Sequence, residues 1–194
     1  MTRDSIRSVM PARLRRFVAD ERGVSAVEFA ILLPLMLTMY LGGVEISQAV
    51  SADRKTTLVA HTIGDLIAQV SNVTSAGDVP NVFNAGTKIA YPYAAGNLTM
   101  TVTSVCINST GTVATVGWSR TQNGTARSGN VTSLIPSALM VANTSLIWGE
   151  ASYAYRPTIG WTITGTLNLS DKFFLRPRLS NSVTLNGTPN PAGC

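Results

Sequence analysis

Residues 24–44 read VSAVEFAILLPLMLTMYLGGV, and Ser25, Glu28 and Thr38 are their only polar side chains besides the permissive Gly42, Gly43 and Pro34. Wound as an α-helix, the stretch is about 30 Å long, the thickness of the hydrocarbon core of a bilayer. Helices buried in soluble proteins rarely stay apolar on every face for this long. The stretch therefore predicts a membrane-spanning helix. Arg3, Arg7, Arg13, Arg15, Arg16 and Arg22 lie before it, whereas only Arg54 and Lys55 lie just after it. That asymmetry keeps the N-terminal segment in the cytoplasm and exports the rest of the chain. The apolar run exceeds the core of a removable signal peptide, and Ser47-Gln48-Ala49 is a weak cleavage site for one. An anchor is the better reading.

The arginines also account for most of the basic balance. The net charge is +5 over 194 residues. With Asp4, Asp20 and Glu21 counted, the segment before Gly23 contributes +3 and all the rest +2. The excess charge flanks an apolar segment and forms no patch on a domain, so nucleic acid is not an expected partner. Hydrophobic residues make up 45% and charged residues 13%, which excludes a disordered chain. The length suits one domain plus an anchor. Cys106 and Cys194 are the only cysteines. In an exported domain they are expected to form one disulfide, worth roughly 4 kcal/mol in the chain-entropy model.

Glu28 is the anomaly in the apolar run. A carboxylate inside hydrocarbon costs several kcal/mol unless it is paired, neutralised or near the interface. One reading is a tolerated residue that snorkels from one turn inside the membrane. The other starts from Gly23, immediately behind the basic leader. If the chain is cut after Gly23, Val24 carries a new α-amino group and Glu28 becomes the fifth residue. A neighbouring subunit's ammonium then neutralises the carboxylate and sets the axial register of packed helices.

The pattern Phe17-x-x-Asp20-x-x-Gly23-Val-Ser-Ala-Val-Glu28-Phe29-Ala30, followed by Pro34 and Gly43-x-Glu45, resembles the N-terminal region of the TadE/TadG-like family. These are minor pseudopilins of tight-adherence (Flp, type IVc) pilus systems. The resemblance is tight over residues 16–70, with looser echoes in Trp148-Gly-Glu150-Ala-Ser-Tyr153-Ala-Tyr155-Arg156-Pro157 and in Phe174-Leu-Arg176-Pro177-Arg178. It implies cleavage between Gly23 and Val24 by a prepilin peptidase. It also gives Glu28, with Phe29 beside it, a role in processing or assembly. Other pilins or pseudopilins and the bacterial inner membrane are the implied partners. The Asp-x-Ser-x-Ser metal motif of the longer TadG-like members is not found, and the chain fits the short TadE-like type.

The expected architecture is α+β: a long N-terminal membrane-spanning helix continuing into a periplasmic antiparallel β-sheet domain. The leader is 1–23 and the span 24–44. The periplasmic continuation of the helix is 45–73, where Val59, Ile63, Leu66, Ile67 and Val70 recur at helical spacing. Pro34 should kink the span. A loop with one helical turn is expected over 74–96, and a β-rich domain over 97–194. There Leu98, Met100 and Val102 alternate with threonines, and the apolar set shifts to Val105 and Ile107, which suggests a bulge or change of face near Ser104. Further strands are expected at 113–118, at 146–155 and within 173–183, interrupted at Pro177. A short helix is expected over 134–141, and a turn at Asn123-Gly124.

Catalytic material is scarce, and no cofactor is expected. His61, the only histidine, forms an i, i+4 pair with Asp65, and two ligands fall short of a zinc site. From Asn97 on, Glu150 and Asp171 are the only carboxylates. They would make a glycosidase pair only if the fold joined them, and Glu150 is more simply a partner for an arginine such as Arg156. The eight Asn-x-Ser/Thr matches are expected by chance in a chain this rich in Asn and Thr. Arg176 and Arg178 flank Pro177 and are candidate contacts for a partner, arginine being enriched at interfaces. The expected function is a minor pseudopilin or assembly component. The alternatives are an uncleaved membrane-anchored envelope binding module and a periplasmic enzyme.

Overall fold

One α-helix, α1, runs from Arg22 to Ala68 in the computed structural model, which describes residues 22–158, 165–188 and 190. The leader up to residue 21 and Cys194 lie outside the described residues. The chain divides into two units, Met1–Glu45 and Ile46–Cys194. In the first unit, the described part is the apolar start of α1. Pro34 sits inside this helix without ending it.

The second unit is built on the rest of α1. There Ala52, Thr56, Val59, Ala60, Ile63 and Ile67 are buried at three- and four-residue steps, one continuous stripe. The stripe lies against a four-stranded antiparallel sheet in the order β3-β2-β4-β5. Its strands are β2 (Leu98–Ile107), β3 (Ala114–Gln122), β4 (Ser145–Tyr155) and β5 (Leu167–Leu175). Before them comes β1 (Asn72–Val73), which pairs in parallel with β6 (Thr184–Leu185). The class is α+β, a long N-terminal apolar helix followed by an antiparallel sheet.

Helix and sheet touch backbone to backbone where Gly149 of β4 meets Ala60 and Gly64 of α1. A Cβ on Gly149 would lie 2.4 Å from the Ala60 carbonyl oxygen and 3.1 Å from the Gly64 Cα. Glycine in a strand interior often marks such an approach.

The two faces of the sheet carry different cores. Toward α1, β2 presents Leu98, Met100 and Val102, with Ile147, Ala151 and Tyr153 of β4 in the same layer. On the other face, Val105 and Ile107 join Leu146, Trp148, Val131 and Ile135 in a second cluster. The expected irregularity near Ser104 is present, but it lies on β3. Ser104 is opposite Trp118 and Val105 opposite Val116, which leaves Gly117 as the extra residue. β2 itself stays in register with β4 throughout. Its apolar residues change face because residues 131–140 cover the outer face at that end only.

Three segments differ from the sequence reading. Residues 78–90 form a helix, α2 (Asp78–Ala90), in place of a loop with one turn. Its start is fixed by reciprocal bonds: the Thr74 N–H donates to the Asp78 carboxylate (2.8 Å) and the Asp78 N–H to the Thr74 hydroxyl (3.1 Å). Val79, Phe83, Gly86 and Ala90 form its buried face. Over 134–141 there are two short 3-10 turns, Thr132–Leu134 and Ser137–Leu139, and no α-helix. The last long strand ends at Leu175, before Pro177, and begins earlier than expected, at Leu167.

Candidate functional site

The apolar start of α1 is defined by what it leaves uncovered. Val24, Val27, Phe29, Ile31, Leu35 and Met39 are all exposed, as is Glu28. The helix is long and apolar enough to cross a membrane. Its most apolar window has a mean hydropathy of 1.9, and none of that window is buried. A helix that folds into a soluble core hides such a window, and this one presents it on all sides. That fits a single-pass membrane anchor. Among the described residues, nothing approaches within 4 Å of a Cβ placed on Gly23, Gly42 or Gly43.

At its other end α1 is tied down by the segment that carries the candidate contact arginines. The Arg178 guanidinium bonds the Asp65 carboxylate, which also accepts from the Gln69 amide (2.6 Å). The Arg178 backbone N–H donates to the Ala68 carbonyl (2.9 Å), satisfying one of the helix's terminal acceptors. Arg178 thus does structural work, while Arg176, two residues earlier, is exposed. Asp65 is engaged there. The His61 ring lies against that of Phe173, with centroids 3.4 Å apart. No group of three metal-ligating side chains forms among the described residues.

Glu150 does find an arginine, but it is Arg127, from the loop after β3. Arg127 Nε donates to one carboxylate oxygen at 2.5 Å and Nη2 to the other at 2.6 Å. The hydrogen bond to Glu150 raises the Arg127 pKa above its ordinary value, against a lowering by partial burial. The guanidinium lies 4.1 Å over the Trp148 ring, a cation–π contact that fixes it from beneath. Sequence reasoning missed this partner because Arg156 is nearer in the chain, and a loop arginine carries no local signal of its target.

Around that pair the uncovered half of the outer sheet face forms an open groove of about 760 Å³, lined by Thr99, Thr101, Glu150, Ser152, Asp171 and Lys172 among others. Glu150 and Asp171 thus do line one groove. Its polar groups are largely engaged within the protein. Thr99 donates to the Asn123 carbonyl (3.1 Å), Thr101 bonds Thr121 (3.0 Å), and Ser152 bonds Asn168 (2.7 Å). Asp171 accepts from the Lys172 N–H (2.8 Å). Both Glu150 oxygens accept from Arg127.

Cys106 is buried in β2 and is not a free thiol.

Residues 23–64 match the family model described as TadE-like protein, a match that lies wholly on α1. No curated protein and no solved structure matches the chain. The matched residues run from the first turn of α1 to the glycine that meets β4, and over them the chain is similar to TadE-like proteins.

Proposed function

We propose that this protein is a minor pseudopilin or assembly component of a tight-adherence type IV pilus or secretion apparatus. The first part of α1 anchors it in the bacterial inner membrane, with the N-terminus cytoplasmic and the sheet domain periplasmic. A prepilin peptidase removes the leader between Gly23 and Val24. The observation that carries this reading is the family match, which opens at Gly23 on a helix whose most apolar window is uncovered. The role is structural and not enzymatic.

The physical logic runs through Glu28. It sits one helical turn beyond Val24, exposed among Val27, Phe29 and Ile31. In hydrocarbon this carboxylate is costly unless it is paired, neutralised or near the interface. The α-amino group released at Val24 of a neighbouring pilin or pseudopilin supplies a cation and sets the axial stagger of the two helices. Phe29 packs in the same helix contact. In the periplasmic domain, Cys106 pairs with Cys194 and ties the C-terminal tail to the end of β2. That pairing is supported by the burial of Cys106 and by its not being free. Arg176, exposed beside the structural Arg178, is the side chain offered to a partner.

Replacing Gly23 with alanine, or Glu28 with alanine, should abolish assembly of the pilus while leaving the protein in the membrane fraction. Pilus counts and membrane immunoblots of the two variants check this. Normal pili from both variants would favour an uncleaved, membrane-anchored binding module.

A further inference from the structure

Strand pairing builds the floor of the groove beside Arg127. Residues directly opposite each other in antiparallel strands point to the same face. Thr99 of β2 is opposite Ser152 of β4, which is opposite Ser170 of β5; Thr101, Glu150 and Lys172 form the next row. A third row, Thr103, Trp148 and Phe174, ends the floor, with the Arg127 guanidinium over its indole. The first two rows therefore present hydroxyls and one charge of each sign, and Thr125, Ala126 and Arg127 line the same groove.

Some of these groups are not used up by the fold. The Ser152 hydroxyl turns to Asn168, which leaves the exposed Ser170 without it. Arg127 grips Glu150 through Nε and Nη2, so Nη1 is not engaged by that pair. Lys172 is exposed and has no carboxylate partner among the described residues; its ammonium lies 5.9 Å from the Trp148 ring centroid.

The lining decides what chemistry fits. Its two cations, Arg127 and Lys172, are matched by two carboxylates, Glu150 and Asp171, so it does not gather ions of either sign. Apolar material is limited to Ala126, Ala151 and threonine methyls, too little to anchor the side chains of a peptide. Donors and acceptors lie side by side along an open trough. A sugar hydroxyl both donates and accepts, as a serine hydroxyl does, and a chain of sugars carries several in a row.

We propose that this groove binds a neutral glycan strand, with Lys172 and Ser170 hydrogen-bonding its hydroxyls and Arg127, fixed by Glu150 and Trp148, closing one end. The groove belongs wholly to the unit Ile46–Cys194, and its binding does not depend on how α1 is anchored.

The test is calorimetric titration of the full chain, held in a detergent without a sugar headgroup, with chitotetraose and cellotetraose as neutral probes and tetra-alanine as the peptide control. At least one tetrasaccharide should bind saturably, with an affinity that added NaCl leaves unchanged. Lys172→Ala should weaken that binding roughly tenfold and Ser170→Ala about threefold, the usual worth of a charged and a neutral hydrogen bond. Lys88→Ala, an exposed lysine outside the groove, should leave it unchanged. No saturable binding of either sugar, equal affinity in the Lys172 and Ser170 variants, tighter binding of the peptide, or sugar binding lost in salt would each overturn the proposal.

Discussion

Gly149 and Gly64 form one contact but are not equivalent residues. On Gly149 a Cβ would meet the Ala60 carbonyl oxygen at 2.4 Å, a backbone atom that cannot step aside without moving α1. On Gly64 the nearest atom is the flexible Leu175 Cδ1 at 3.3 Å, with the Gly149 Cα at 3.6 Å. Gly149→Ala should therefore destabilise the second unit by about 1–3 kcal/mol, the usual cost of overpacking. Gly64→Ala should be nearly neutral, since a helical alanine gains up to about 1 kcal/mol over glycine. Thermal unfolding of the two variants in detergent checks the asymmetry. At Glu150 the carboxylate is partly solvated, so Glu150→Gln should cost only about 1 kcal/mol. The sequence did contain the sign of the Gly149 contact, a glycine between Trp148 and Glu150 inside a strand pattern. The partnership of Glu150 with Arg127 left no such sign.

Among the elements, those with a clean period were legible. The unbroken apolar run and the stripe at Val59, Ile63 and Ile67 announce α1, and the Leu98–Thr103 alternation announces β2. α2 was hidden by Pro80, Gly86 and two asparagines, residues that read as loop, although Pro80 falls in the first turn, where no helical N–H is lost. Its buried face is nonetheless substantial. Phe83→Ala should lower stability by about 3 kcal/mol and shift the denaturant midpoint without changing the slope. The beginning of β5 was missed for a different reason. It lies at the edge of the sheet, and its first residues, Leu167, Asn168, Ser170 and Asp171, are exposed, so no buried face imposes an alternation there. Asp171 and Lys172 in mid-strand also discourage further pairing at that edge.

At the scale of the whole molecule, an anchor segment and a sheet-bearing domain share one helix, and their chemistry is divided accordingly. The domain's second link is the proposed Cys106–Cys194 disulfide. Serine at both positions should lower the melting temperature measurably. Reductant should reproduce the loss in the native chain and have no further effect on the variant. The proposed cleavage lies between Gly23 and Val24, where the family match opens. The most direct measurement is N-terminal sequencing and intact mass of the membrane-extracted protein from cells with and without the prepilin peptidase. A chain beginning at Val24 only when the peptidase is present is the expected result. A chain that still begins at Met1 beside an active peptidase would contradict the pseudopilin reading.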